Sequence, residues 1–499
     1  IFGANTEMRG GDAYASPRLS DAYSDILKST SWNQYNHNFN ATLLQETAFN
    51  SNSAGAFECW SSHYDRIRRE NEFLRDAAEF GSKFGEDWLK IRIAEVRFCR
   101  AYAYFMLCRV YGGVILRTEV DGPEQNDKAR STEEECWGFI INELKELAPD
   151  LPLKWDSDNS GRATQKAAYG LLSRVALYAE KWDVAAQAAR DCATAEGNLD
   201  LSENGYAKIF ELGINSPEVL FAVEFKSSVI DHAYDAYVRP SGDTKELGKQ
   251  VYSGFVPTSE LVDSYEMAGD GGNFSWEKHG KDPYANREPR FYATILYNGA
   301  DWMGRKIESF VGGKDGYKAY ENAGAAGTTV TGYYLRKYLI DGDKTWVTSG
   351  SGQDWIVLRY AEVLLNKAEA LAMENWNKNS AEALQALNDV RARVGLPARA
   401  TADKETFLEY VRHERKVELA GEGFRYWDLR RWRLAEKVID GQNVHGVKIS
   451  KQSDGSFTYE QVDADGGHKR IFYDRYYRFA IPLSERSNNS LCTNNDGWI

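Results

Sequence analysis

Apolar residues recur along this chain at the spacing of buried helix faces. Within WIVLRYAEVLLNKAEALAMENW, Val357, Ala361, Leu364, Ala368 and Leu371 fall four and three residues apart, which predicts a helix beginning at Trp355 with one face in the core. Leu384, Leu387 and Val394 supply the stripe of a second helix, with Gly395 placed for a left-handed cap and Pro397 keeping the helix from resuming. The same alternation at Trp60, Tyr64, Ile67, Asn71 and Leu74 predicts an earlier helix and puts Trp60 and Tyr64 in the core. Residues 88–110 carry one stripe at Val96, Cys99, Ala103, Met106 and Val110 and another at Phe98, Tyr102 and Phe105, so this helix is covered on two sides before Gly112 and Gly113 end it. Ser131 to Glu134 fit a capping box for a helix reaching about Leu147, stopped by Pro149 and Pro152. In ATQKAAYGLLSRVALYAEKWDVAAQAARDC, Thr164 is the expected N-cap and the turn falls near Glu180 to Asp183. Ser173, Ala185 and Cys192 take the spacing used where the two helices of a tetratricopeptide repeat touch, and Ala368, Ala383 and Val390 form a related set.

Between residues 201 and 353 the pattern breaks into strand-like runs, EVLFAVEF and RFYATILYNG, and glycine-rich stretches. GSFTYEQV and KRIFYDRYYRFAIP are further strand-like runs near the C-terminus. The predicted organisation is one mainly α domain over 1–499. Helical pairs occupy 57–200 and 354–440, a loop-rich, partly β region lies at 201–353, and a strand and loop tail at 441–499.

One segment resists the simple pattern. In HERKVELAGEGFRYWDLRRW, His413 to Trp432, charges are interleaved with Phe424, Tyr426, Trp427 and Trp432, rings too large to leave in water together. Arg415 with Glu418, and Glu422 or Asp428 with Arg425 and Arg431, are expected to form a partly buried network whose guanidinium groups also stack on rings.

The net charge of −13 argues against a nucleic-acid partner, because phosphate binding needs basic patches. The 14 Trp, 29 Tyr and 22 Phe exceed what a helical core usually demands, so some rings are available for a neutral ligand. No apolar run is long enough to span a bilayer as a helix. The six cysteines show no metal or redox spacing, and most are expected as buried thiols. Catalytic motifs are missing from the sequence, and paired carboxylates are common in so acidic a chain, so no catalytic residue, cofactor or metal ligand is assigned. The acidic runs at Asp341 and Asp463 read as turns, since neither has the ligand pattern of a calcium loop.

Several of these stretches together resemble the SusD-like (RagB/SusD) family of outer-membrane nutrient-binding lipoproteins. The likeness rests on the Trp60 helix, EVRFCRAYAYFMLCRVYGGV, ATQKAAYGLLSRVALYAEKWDVAAQAA and REPRFYATILYNG. It is most specific in LRYAEVLLNKAEAL, ALNDVRARVGLP, HERKVELAGEGFRYWDLRRW and FAIPLSERSNNSLCTNNDGW. The resemblance implies a tetratricopeptide-type superhelical scaffold with a variable region grafted on it. It also implies a cell-surface location by a lipid on an N-terminal Cys, which this sequence does not contain, and a role as lid over a SusC-like TonB-dependent transporter, capturing glycans or peptides.

Oligosaccharide capture needs flat rings against sugar faces and polar groups for hydroxyls. The expected platform is Trp32, Tyr35, Trp276, Tyr284 and Trp302, each of which has the competing role of holding a long loop to the scaffold. Tyr292 and Trp355 read as structural. Two alternatives remain: an α-helical glycan-active enzyme with a cleft between loops, and a tetratricopeptide scaffold that binds peptides.

Overall fold

A computed structural model describes residues 17–30, 49–122, 127–320 and 328–498. Antiparallel helices form its frame. These are α1 (Trp60–Phe80), α2 (Glu86–Tyr111), α3 (Glu133–Leu147), α4 (Gln165–Tyr178) and α5 (Trp182–Thr194), followed after the loop-rich region by α6 (Tyr360–Arg393), α7 (Lys404–Glu418) and α8 (Arg425–Arg431). From Ala94 onward α2 is buried on nearly every side, as its two stripes require. Ser173, Ala185 and Cys192 are fully buried, so α4 and α5 pack closely where their small residues meet. Thr164 caps α4, Gly395 ends α6 at φ 73°, and Gly112 ends α2 at φ 74°.

Several elements differ from the sequence reading. The capping box of α3 is Thr132 with Glu135, one residue later than expected, because the Ser131 N–H is already donated to Val114 O at 2.8 Å. Residues Trp355–Arg359 do not begin a helix. They form a strand, β4, buried on both faces, which pairs antiparallel with β2 (Val219–Val223); β1 (Leu27–Ser29) pairs with β3 (Phe255–Pro257). A short apolar run fits both periods, and here a partner strand selects the extended form. α6 is broken at Asn375 (φ −164°, ψ 93°), whose side chain accepts from Lys378 N at 3.2 Å and restarts the second arm. RFYATILYNG forms a helical turn, Pro289–Thr294, before the two-residue strand Ile295–Leu296, with Pro289 at the helix start. KRIFYDRYYRFAIP contains a 3-10 turn at Asp474–Tyr477. GSFTYEQV does form a strand, β6 (Phe457–Asp463), in a hairpin with β5 (His445–Lys451).

The loop-rich region is joined to the helices through buried charge. Lys337, Arg290, Arg359, Arg391, Arg393 and Arg399 alternate with Glu218, Glu266, Glu288, Glu414, Glu418 and Glu422, six cations against six carboxylates. Arg359 alone reaches Glu218 at 2.9 Å, Glu418 at 2.6 Å and Glu422 at 2.7 Å. Glu414, Glu418 and Glu422 turn toward the loop-rich region, so the expected Arg415 to Glu418 pair is replaced by Arg415 to Asp428 at 2.8 Å. Arg425 instead holds Asp25, while Asp428 binds Arg431 at 2.8 Å as expected. Guanidinium stacking is present too, with Arg431 4.6 Å from the centre of Trp432.

Candidate functional site

The aromatic pair best placed to meet a ligand is Tyr237 with Tyr252. Their rings stack with centroids 5.1 Å apart and planes 26° from parallel; Tyr252 is 42% exposed and Tyr237 half-buried. Backbone bonds set this geometry. Tyr252 N donates to Ala236 O at 2.7 Å and Gly254 N to Tyr237 O at 2.6 Å, which holds the loop after Gly248 against the helical turn Tyr234–Val238. Between them Ser253 takes φ 45°, a strained value for a residue with a side chain, and is held by donating its hydroxyl to Arg239 O at 2.9 Å. Thr30 completes the frame, its N–H donating to Gly254 O at 3.0 Å and its hydroxyl to Ser253 O at 2.9 Å. Thr30 is also the last described residue before the segment that contains Trp32 and Tyr35.

Arg239, whose carbonyl holds Ser253, is fully buried. Its guanidinium donates to Asp235 at 2.8 Å and to the carbonyls of Ile340 and Asp343, and sits 5.3 and 5.2 Å from the ring centres of Trp302 and Trp346. The Trp302 indole N–H donates to Asp243 at 3.0 Å, and Asp243 also binds Arg305 at 2.8 Å. Burial pushes the Asp235 carboxyl up, against the pull of Arg239 and Ser351. The site thus offers an aromatic face, with its backbone held by internal hydrogen bonds next to a buried ionic base.

The expected platform residues do not share one place. Trp302 has no solvent exposure and Tyr284 is 5% exposed, so neither ring presents a face to a ligand: Trp302 packs on Arg239, and Tyr284 lies among Phe291, Tyr297, Tyr333 and Tyr459. These two assignments are corrected, since a ring in a glycine-rich loop closed over the scaffold becomes core. Trp276 is half-buried, its indole N–H donating to Asp263 at 2.9 Å and its ring 6.1 Å from Tyr459. Burial pushes the Asp263 carboxyl up to about 6. Trp32 and Tyr35 lie outside the described residues. Tyr237 and Tyr252 escaped the sequence reading, although YDAYVRPSGDTKELGKQVYSGF brackets a polar loop with tyrosines. A second exposed stack, Phe84 on Trp88 at 5.1 Å, sits at the turn between α1 and α2. Among the described residues no group of three or more His, Cys, Asp or Glu is placed to hold a metal ion. Asp463 serves its turn, accepting from Asp465 N at 2.8 Å and Gly467 N at 3.1 Å, and Asp341 accepts from Met303 N at 2.7 Å.

The fold defines the class, a helical-hairpin scaffold carrying a loop-rich region, and comparison with known proteins gives the family. Residues 217–498 match the SusD family, and residues 4–177 match a family described as starch-binding associating with outer membrane. The chain belongs to the SusD family. It is 26% identical over 452 residues to a SusD-like protein of Bacteroides ovatus, covering 85% of this chain and 74% of that one. SusD-like protein P38 of Formosa agariphila is 25% identical over 401 residues, covering 76% and 73%. Among solved structures, a SusD-like protein of Bacteroides fragilis superposes with a TM-score of 0.84 at 27% identity, covering 97% of this chain and 93% of that chain. A SusD-like carbohydrate binding protein of the same species gives a TM-score of 0.79 at 25% identity, covering 95% and 92%.

Proposed function

We propose that this protein captures oligosaccharide without cleaving it, on the face built by Tyr237 and Tyr252. The observation that carries the reading is the half-exposed tyrosine stack fixed on a buried ionic base, since a sugar gains most from a ring that is already held in place. The carbohydrate-binding relative of Bacteroides fragilis supports the ligand class. Trp32, Tyr35 and Trp276 are proposed as further ligand contacts. The protein works at the outer-membrane surface, tethered by a lipid, and passes its ligand to a SusC-like TonB-dependent transporter.

A glycan array identifies the sugar, and titration calorimetry with that sugar tests the site. Tyr252→Ala is expected to weaken binding about tenfold, roughly the 1–2 kcal/mol of a lost stacking contact, with little change in melting temperature. Unaltered affinity in that variant sinks the site assignment, and release of shorter sugars by the purified protein sinks the non-catalytic reading. Co-purification with a SusC-like transporter produced in the same cells tests the partnership.

A further inference from the structure

Two cavities adjoin where α4 and α5 face α7 and α8. The smaller, 130 Å³, is reached by the ends of α2, α3 and α4 and by α8; the larger, 230 Å³, is lined chiefly by Trp182, Met373, Leu408, Val411 and Trp432. Tyr178, Glu180, Arg431 and Arg433 line both, so a ligand that enters one reaches the other.

The smaller cavity is rich in guanidinium groups, and two of them have no carboxylate partner among the described residues. Arg430 is 4% exposed and donates only to neutral oxygens, Tyr477 O at 2.8 Å and Arg109 O at 3.4 Å. Among the described residues the Arg109 guanidinium donates to the Met106 sulfur alone, at 3.2 Å. Both groups lie over Trp427, at 4.7 and 4.3 Å from its centre. Their Nε atoms and the Trp427 indole N–H are buried donors without an acceptor among the described residues. Neighbouring arginines are satisfied: Arg431 binds Glu369 and Asp428, and Arg478 binds Glu133. Burial, with Arg478 and Arg109 close by, pushes Arg430 down to about 10. A buried arginine without counter-charge, as Arg430 is, is costly, and an oxyanion that accepts from it and from the half-buried Arg109 relieves that cost.

The volume limits what fits. The smaller cavity holds about four water molecules, enough for a carboxylate beside the arginines. The apolar neighbour adds a second requirement that a free inorganic anion does not meet. We propose that the paired cavities bind a carboxylate carried on an apolar residue, as at the C-terminus of a peptide, with the acid at Arg109 and Arg430 and the side chain among Trp182, Met373, Leu408, Val411 and Trp432. This site is independent of the tyrosine face and leaves glycan capture as it is. Glu180, exposed at the shared rim, has no ion pair among the described residues and opposes an incoming acid.

The test measures binding of N-acetyl-leucyl-leucine, its C-terminal amide, and sulfate to the whole protein by calorimetry. The acid is expected to bind at least about tenfold more tightly than the amide and than sulfate, the usual effect of a charge-assisted hydrogen bond. Arg109→Gln, which loses the sulfur contact and the stacking on Trp427 and Phe105 but breaks no ion pair among the described residues, should weaken the acid about tenfold in protein shown to be folded by circular dichroism, and Glu180→Gln should strengthen it. Glycan affinity stays constant in both variants, which separates failure here from failure of the glycan reading. Equal binding of acid and amide, sulfate binding as tightly as the acid, or an unchanged Arg109→Gln variant each overturns the proposal.

Discussion

Glu418→Gln removes one negative charge from the centre of the buried network and keeps the shape of the side chain. Glu418 accepts from Arg359 at 2.6 Å, from Arg290 at 2.9 Å and from Arg393, and all four side chains have at most 1% exposure. Burial alone pushes this carboxyl up, yet Arg393, Arg359 and Arg290 outweigh it and hold the group well below the ordinary range. After substitution six cations face five carboxylates, and the amide offers two donors where three guanidinium groups need an acceptor. Breaking a buried pair from one side costs about 3–5 kcal/mol. A suitable control is Glu72→Gln. Its partner Arg68 is 74% exposed, and an exposed pair one turn apart on a helix contributes about 0.3–0.5 kcal/mol. Urea unfolding followed by far-ultraviolet circular dichroism reads both variants against the parent. A loss for Glu418→Gln no larger than that for Glu72→Gln refutes the claim that this network joins the loop-rich region to the helices.

Acid should weaken the protein through the same groups. Glu418, Glu422 and Asp428 are held below their ordinary values, so their stabilisation is present above about pH 4.5 and lost progressively as pH falls below it; urea midpoints from pH 6 to pH 3 follow this, and flat midpoints contradict it. Asp263 works in the opposite sense. Its carboxyl, raised from 3.8 to about 6, binds a proton more readily folded than unfolded, so its contribution is full below about pH 4 and lost as pH rises through 6. Asp263→Asn should therefore gain stability relative to the parent between pH 4.5 and pH 7, and a constant difference across that range argues against the assignment. Trp302→Ala should lose both stability, about 3–5 kcal/mol for a fully buried indole, and glycan affinity, because Arg239 loses one of its two rings. Retained affinity in a destabilised but folded Trp302→Ala protein would separate the tyrosine face from its base.

Much of the scaffold was legible because a helix face repeats every three or four residues over many turns. Ser173, Ala185 and Cys192 are buried together as their spacing implied, and Thr164 and Gly395 stand at helix ends. The strand Trp355–Arg359 was not legible, since the four apolar residues before Arg359 satisfy either period and only pairing with Val219–Val223 decides. The partners of Glu418 were not legible either. Arg290 and Arg359 are 128 and 59 residues away, and local spacing favoured Arg415 instead. The candidate site was the least readable part. Aromatic residues in loops looked exposed by context, whereas Trp302 and Tyr284 became core and Tyr252 stayed outside, a choice set by how the loops close over one another.

Charge and aromatic rings divide the work in this fold. The loop-rich region shares the apolar core of the helices, with Phe210, Phe221, Phe291 and Leu335 buried in it, and a balanced set of buried ion pairs adds one defined position, because each carboxylate tolerates few alternative placements of its guanidinium partners. Arg239 repeats the device on a smaller scale. Between Trp302 and Trp346, with Asp235 and two backbone carbonyls as acceptors, it fixes the carbonyl that Ser253 uses and so the backbone that aims Tyr252 outward. Loop sequence above this base is then free to vary without loss of the fold, while the base itself is not. Ligand choice can therefore change on the surface of a scaffold whose identity is written in its buried charges.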